Sequence, residues 1–579
     1  MKAQRGSLGL VYSFWRQRPW WIAGLVVGTL AATAISLAFP LVLRLIIDGI
    51  RQGVTPAVLV RHVLILAGFG LLRSVSEGVL PWNRGRINEL FQWKVRNETF
   101  RHILGSGHSF AMRFPTGDVM ERLDHDLTEL MWFACSGIFR FFAAACTVVF
   151  AAAIMLRMNV LLTAVLIPAL GFGALAWVRL GPSVVRRFVS WREKISEANN
   201  QLEAAFSGIR LVKSYSMESR MAERFRQTLA DRIRESVETS RIQARLQVFY
   251  MGIAELGILL VLWVGGTLVV KQRLTLGQFV AFNAYALMFI GPMFDLGNLS
   301  VQGKRAQAAA GRISELSAHP PEVTPPARPI QPEPGVLRLE RVTFGYGGRP
   351  VLKDVTMEFA AGRRVGIAGT VGAGKSTVFR LLFRLADPQA GKLTLNGLDV
   401  RSFDLAAYRR LFGYAPQEPM LFSDTIRNNI AVGREVEPAR LQRAVVAAQL
   451  DREVAGFDKG LDELLGERGT RLSGGQKGRV AIARAILEGP PVLVFDDATA
   501  ALDAETEREL VATLVAQQGE RTAIVVSHRL AVLSVCDYIY CLDQGEVKEE
   551  GSPRELLERR GLYWRLYQRQ LLEQELETL

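Results

Sequence analysis

Apolar positions along this chain follow two regimes. In the first, apolar residues run on without alternation. A helix needs about 20 of them to cross a hydrocarbon core of ~30 Å. Six stretches reach or approach that length: Trp20–Ile47, Val58–Leu80, Trp132–Leu156, Val160–Leu180, Val248–Val270 and Leu276–Leu299. An even number of crossings predicts that both ends of this half lie on the same side of a membrane. The second regime opens with LRLERVTFGY, whose alternation marks a strand. Strands and helices then alternate, the pattern of an α/β fold. Between the two lies Ser317–Gly335, SAHPPEVTPPARPIQPEPG, too rich in proline for a helix and suited to a semi-rigid extended linker. The predicted organisation is a helical membrane domain over residues 1–310, a linker over 311–335, and an α/β domain over 336–579 that ends in a helix.

Charge sets the orientation. Lys and Arg total 70 against 56 Asp and Glu, a formal net charge of +14. Much of the excess follows the second span (Arg84, Arg86, Lys94, Arg96, Arg101, Arg113, Arg122) and the fourth (from Arg186 and Arg187 to Arg232 and Arg234). The opposite loops hold little beyond Arg51, Arg157, Lys271 and Arg273. Basic residues mark the cytoplasmic side, so both termini and the α/β domain are expected in the cytoplasm, on a multi-pass protein of the cell (inner) membrane. The same bias explains the charge without nucleic acid, for which no reading motif is present. The N-terminal MKAQRGSLGLVYSFWRQRPWW lacks a cleavable signal pattern and reads as an amphipathic elbow into the first span. Cys135, Cys146, Cys536 and Cys541 form no CxxC pair, which argues against a disulfide framework or a zinc site.

The two basic cytoplasmic segments are long and nearly free of proline, and read as helical extensions of the spans joined by turns. Two readings stand: they transmit motion from the α/β domain, or they are solvated charged hairpins. Charges within the spans, at Arg44, Arg73, Glu77, Arg140, Glu255 and Asp295, are candidates for substrate contact by position. Structural pairing is the alternative, with Arg73 and Glu77 at i, i+4 spacing. The closing LYWRLYQRQLLEQELETL is helical in pattern and either zips against a partner or packs on its own domain.

The most specific chemistry is Gly369-Thr-Val-Gly-Ala-Gly-Lys-Ser-Thr377, a P-loop between the apolar strand RVGIA and the helix VFRLLFRL. Gly369, Gly372 and Gly374 let backbone N–H groups curl round phosphate oxygens, with Thr370, Ala373 and Thr377 completing the cradle. Lys375 brings a positive charge to the outer phosphates, Ser376 offers a hydroxyl to Mg²⁺, and the helix N-terminus adds positive potential. ATP and Mg²⁺ are the expected ligands. Downstream, PPVLVFDD ends a buried strand on Asp496, an acid that needs a cation and reads as the Mg²⁺ aspartate.

Between them stands Leu472-Ser473-Gly474-Gly475-Gln476. With its neighbours it resembles the ATP-binding cassette (ABC) ATPases, and the full chain resembles an ABC exporter. The resemblance implies an α-helical membrane domain with six transmembrane helices, followed by an α/β P-loop NTPase domain of ABC type. It implies that Ser473–Gln476 contact the γ-phosphate of ATP held by the opposite subunit. Tyr346 matches the residue that stacks on adenine, and Gln417 the glutamine that senses Mg²⁺ and faces the membrane domain. His528 matches the histidine on the γ-phosphate, Glu467 the loop that meets a coupling helix, and Ala500–Asp503 the loop exchanged between subunits.

One position departs from the family. Glutamate ordinarily follows the magnesium aspartate as general base; here it is Asp497, one methylene shorter. A base must lie within hydrogen-bond reach of its water, so a slow site is expected at this position. Beside an intact signature, that asymmetry resembles heterodimeric ABC exporters of drugs, lipids or peptides, whose second half-transporter carries the catalytic Glu. An ATP-gated channel or regulatory receptor built on the same motor is the alternative.

Overall fold

The computed structural model describes residues 9–466, 469–498 and 521–578. They form two compact units: residues up to Leu104 with Arg113–His319, and Gly105–Met112 with Pro320 onward.

The first unit is helical. Its elements are α1 (Gly9–Arg16), α2 (Pro19–Arg51), α3 (Pro56–Leu104), α4 (His108–Arg113, shared with the second unit), α5 (Thr116–Met158), α6 (Val160–Ser207), α7 (Ile209–Ser214), α8 (Glu218–Val270), α9 (Leu276–Met288) and α10 (Ile290–Ala318). Each predicted apolar stretch lies on these helices, the last one divided at Phe289 between α9 and α10. Among the described residues, α2, α3, α5 and α8 are long and apolar enough to cross a membrane, and α9 is a shorter apolar helix. Helices α3, α6 and α8 contain 49, 48 and 53 residues. At 1.5 Å per residue each is about 70–80 Å long, more than twice a hydrocarbon core. The excess is the pair of expected helical extensions.

The N-terminal elbow is amphipathic. Phe14 and Trp15 of α1 are buried, with their rings 5.1 Å from Phe91 and 5.6 Å from Phe139 respectively. Trp15 Nε1 donates to the Ala134 carbonyl at 3.1 Å, inside the wide turn Trp132–Gly137 of α5. Pro40 inside α2 deletes one helical N–H. Nearby, the buried Tyr285 hydroxyl donates to the Leu37 carbonyl at 2.5 Å, a polar contact that ties α9 to α2.

Most of the intramembrane charges are paired. Arg73 and Glu77 bond at 2.8 Å as their spacing predicts, and Arg44 lies 3.5 Å from Asp48. Arg140 joins Asp295 at 2.8 Å, linking α5 to α10. Glu255 is exposed and has no ion pair among the described residues. The structural reading therefore accounts for five of the six candidates. Helix α10 also continues past residue 310, the end expected for this domain, because Ile313 and Leu316 are buried and the first proline comes only at Pro320.

The second unit holds two sheets. Strands β1 (Leu337–Tyr346), β2 (Arg349–Phe359), β4 (Ala390–Leu395) and β5 (Leu398–Asp399) form an antiparallel sheet in the order β2-β1-β4-β5. A second sheet has the order β10-β9-β3-β8-β7-β6, from β3 (Arg364–Gly369), β6 (Phe412–Ala415), β7 (Val492–Asp496), β8 (Thr522–Val526), β9 (Tyr538–Asp543) and β10 (Glu546–Gly551). All but β10 run parallel. Helices cover parallel sheets on both faces, which is why every residue of β7 and β8 is buried. Helices α11 (Lys375–Leu382), α12 (Gly474–Ile486) and α13 (Leu562–Thr578) matter most for the site. The last packs on its own domain: Tyr563 is fully buried, with Leu562, Leu566 and Tyr567 against the same core. All four cysteines are free.

Helix α12 lies so close to β6 that a Cβ on Gly413 would sit 2.1 Å from the Ala485 carbonyl oxygen. Gly413→Ala is expected to destabilise the α/β unit by ~1–3 kcal/mol, the usual cost of overpacking. Thermal unfolding of the purified chain checks it; an unchanged midpoint would contradict this packing.

Candidate nucleotide site

Strand order brings the motifs together. Ile367 of β3 pairs with Val526 of β8, and Val526 pairs with Asp496 of β7. Phe495 of β7 in turn pairs with Ala415 of β6. The segments that leave these strands at one edge are the P-loop, His528, Asp496–Asp497 and Gln417. Ligands of parallel α/β sheets bind at that carboxyl edge.

The P-loop backbone needs its glycines. Gly369 has φ +153°, and a Cβ there would lie 2.3 Å from the Leu542 carbonyl oxygen. Gly374 caps α11 at φ +103°, a conformation that L side chains rarely adopt, with Leu352 2.7 Å from where its Cβ would be. Lys375 is buried, and its Nζ donates to the Gly369 and Thr370 carbonyls at 2.9 Å each. Burial draws the Lys375 pKa down, while the Asp497 and Asp496 charges oppose the shift. Ser376 is exposed in the first turn of α11, and Thr377 is buried. Thr370 is held by its hydroxyl on Asp543 at 2.9 Å.

Asp496 is buried at the end of β7. Burial, and then the Asp497 charge, raise its pKa to about 6 against the opposing pull of Tyr414 and Lys375. The Tyr414 hydroxyl donates to Asp496 Oδ2 at 3.4 Å. Sequence reasoning passed over Tyr414; its place on β6, three residues before Gln417, was the available signal. Asp497 is 5% exposed and sits in the left-handed region at φ +48°. Its Oδ1 accepts the His528 backbone N–H at 2.9 Å, and its Oδ2 lies 3.2 Å from His528 Nε2. Both oxygens of the aspartate are thus engaged by one residue.

The donor set fits Mg²⁺. Hard cations take carboxylate, hydroxyl and amide oxygens. A buried carboxyl whose pKa is raised by burial and by the Asp497 charge, with the exposed Ser376 hydroxyl and the exposed Gln417 on segments that leave the same sheet edge, supplies them.

Tyr346 is half-exposed. The Arg380 guanidinium lies 5.3 Å from its ring centroid, with Nη1 3.3 Å from its hydroxyl, and the His108 ring meets it edge-on at 6.4 Å. The signature opens α12 through a capping box: the Gln476 N–H donates to Ser473 Oγ at 3.3 Å, and the Ser473 N–H to Gln476 Oε1 at 2.9 Å. Ser473 and Gly474 are exposed, with Gly475 and Gln476 half-buried. Among the described residues no hydrogen bond or ion pair joins them to this chain's own P-loop. Glu467 and Ala500–Asp503 lie outside the described residues.

Comparison with known proteins agrees in both halves. Residues 22–293 match the ABC transporter transmembrane region, and residues 352–500 match the ABC transporter family. A probable multidrug resistance ABC transporter ATP-binding/permease protein of Bacillus subtilis, YheI, is 30% identical over 94% of each chain. An ATP-dependent lipid A-core flippase of Burkholderia orbicola is 31% identical over 88% of this chain and 86% of its own. The solved structure of a bacterial Atm1-family ABC exporter with ATP bound superposes with a TM-score of 0.80 at 27% identity, over 95% of this chain and 99% of that one.

The raised Asp496 pKa sets a pH dependence. The folded domain holds this proton more tightly than the unfolded chain does. The proton's contribution to stability is therefore present below the ordinary carboxyl range and lost as pH rises through about 6. Metal binding requires the carboxylate, so Mg²⁺-dependent nucleotide binding should weaken as pH falls below about 6. Tyr414→Phe removes a bond to the carboxylate and should move that midpoint upward. Fluorescent-nucleotide titrations at fixed Mg²⁺ across pH check both; a flat profile would contradict the assignment of Asp496 to the metal.

Proposed function

The chain belongs to the ABC transporters, as a half-size exporter with membrane and ATPase domains fused, and from that premise we propose that it is one subunit of a heterodimer whose own ATP site turns over slowly. The coarser function is that of an ABC exporter of multidrug or lipid type, coupling ATP hydrolysis to transport. The finer reading rests on Asp497.

In that reading Gly369–Thr377 hold the phosphates of ATP, with Lys375 on the outer two, and Tyr346 stacks on adenine. Ser376, Asp496 and Gln417 hold Mg²⁺, which neutralises charge on the phosphate oxygens. His528 reaches the γ-phosphate. A base at Asp497 must take a proton from water as the water attacks phosphorus, while ADP leaves with the broken bond's electron pair. The Asp497 carboxylate is drawn back by one methylene and is occupied by His528 on both oxygens. A displacement of about 1 Å from productive geometry costs on the order of 100-fold. The observation that carries the reading is this engagement of Asp497 by His528.

The Ser473–Gln476 turn, exposed at Ser473 and Gly474, serves the other site, where the partner half-transporter supplies its P-loop and the catalytic Glu. Each pocket is then shared, and ATP drives closure through its higher affinity for the closed pair. Two features support coupling to the membrane helices: α3 extends far beyond a bilayer's thickness, and the Gly105–Met112 segment that follows it is part of the ATPase unit. The cargo is a hydrophobic drug, lipid or peptide taken from the bilayer.

Co-purification with a neighbouring half-transporter, followed by ATPase assays in nanodiscs, tests the proposal. Lys375→Ala should abolish tight ATP binding at one site of the pair. Asp497→Asn should leave steady-state turnover within about threefold of the parent, because the flux runs through the other site. A homodimer hydrolysing at full rate, or a loss beyond about tenfold from Asp497→Asn, would overturn it.

A further inference from the structure

We propose that Gln570, on the C-terminal helix α13, is a positioning residue for the γ-phosphate histidine, and that α13 thereby sets how well this site tells ATP from ADP. The inference rests on the role given to His528 above.

The turn after β8 carries His528 outside regular structure, so its peptide groups need partners from elsewhere. Three consecutive N–H groups find them. His528 N–H goes to Asp497 Oδ1 at 2.9 Å, Arg529 N–H to Ser527 Oγ at 3.0 Å, and Leu530 N–H to Gln570 Oε1 at 2.9 Å. The Gln570 amide also donates, through Nε2, to the His528 carbonyl. One planar side chain thus accepts from Leu530 and donates to His528, holding both ends of the turn two residues apart. Asp497 holds the N–H side of His528 and Gln570 the carbonyl side. The imidazole stays substantially exposed, with Nε2 3.2 Å from Asp497 Oδ2, so one face of the ring is open to a ligand while its backbone is fixed.

The clamp is remote in sequence, with Gln570 and His528 42 positions apart. It reaches the turn because α13 is anchored independently, by Tyr563, Leu566 and Tyr567 in the core. The glutamine is only half-buried, so its replacement does not remove the anchor. Losing the amide would leave α13 docked and the turn loose. A pre-set histidine keeps most of its hydrogen-bond energy for the ligand, whereas a loose one must be ordered first. Only a nucleotide with a γ-phosphate gains from the pre-setting, so ADP binding should be indifferent to it.

The test measures equilibrium binding of MgATP and of MgADP to the purified full-length chain at low temperature. The proteins compared are the parent, Gln570→Ala, Gln570→Glu and His528→Ala. Gln570→Ala removes both bonds. Gln570→Glu keeps the acceptor for Leu530 and loses the donor to the His528 carbonyl. The expected result is that Gln570→Ala weakens ATP about five- to tenfold and leaves ADP within about twofold. Gln570→Glu should fall in the same direction, and thermal midpoints should stay near the parent's. Equal loss of ATP and ADP affinity, or a lowered midpoint with unchanged selectivity, would reduce Gln570 to a docking contact and overturn the inference. So would parental ATP selectivity in both Gln570 variants while His528→Ala loses it. If His528→Ala itself leaves ATP selectivity intact, the role assigned to that histidine fails instead, and the inference falls with its premise.

Discussion

The catalytic edge depends on one electrostatic constraint: two adjacent carboxyl groups and one ammonium group lie at the buried end of a parallel sheet. Asp496, Asp497 and Lys375 are each less than a tenth exposed. Buried charge is costly unless matched, and one lysine cannot match two aspartates. The molecule resolves this unevenly. Asp497 takes the backbone N–H and ring of His528, whereas among the described residues Asp496 has the weak Tyr414 contact and the shared field of Lys375. Burial, and then the Asp497 charge, raise its pKa against those two. The carboxyl left short of positive charge is where a divalent cation gains most on binding. The aspartate that already has partners is the one placed where a base is needed. The metal affinity and the slow turnover proposed for this site would both follow from the same division of partners.

The parts of this site that were legible in sequence are those whose chemistry needs contiguous residues. A phosphate cradle must be built from successive N–H groups, so Gly369–Thr377 could be read directly. An apolar strand closing on an acid announces Asp496. What stayed hidden were contacts made by tertiary packing across sequence distance. Tyr414 reaches Asp496 across 82 residues, Asp497 meets His528 across 31, and Arg140 meets Asp295 across 155. No periodicity encodes such pairs. Arg73 and Glu77 were legible because helical spacing alone brings them together. In the membrane unit, length and hydropathy located the apolar stretches but not their ends. The proline-rich segment begins only after Ile313 and Leu316 have already bound α10 to its neighbours, whereas the break at Phe289 stands just before Gly291-Pro292, a signal passed over within an otherwise continuous apolar run.

The turn at Asp497 and the signature that opens α12 are also packed closely together within this chain. Gly478, one turn into α12, is packed so closely that a Cβ would lie 2.7 Å from the Ala498 carbonyl oxygen. Ala498 directly follows Asp497, so the signature helix leans on the catalytic turn. Its first turn is stiffened by the reciprocal Ser473–Gln476 cap. Close-packed backbone does not deform gradually, so any shift of Asp497 and its neighbour would be felt at the N-terminal turn of α12. In the proposed heterodimer that terminus is the surface offered to the partner's nucleotide. A pocket too slow to drive the cycle by hydrolysis would there still act on the other pocket through its occupancy and this shared backbone.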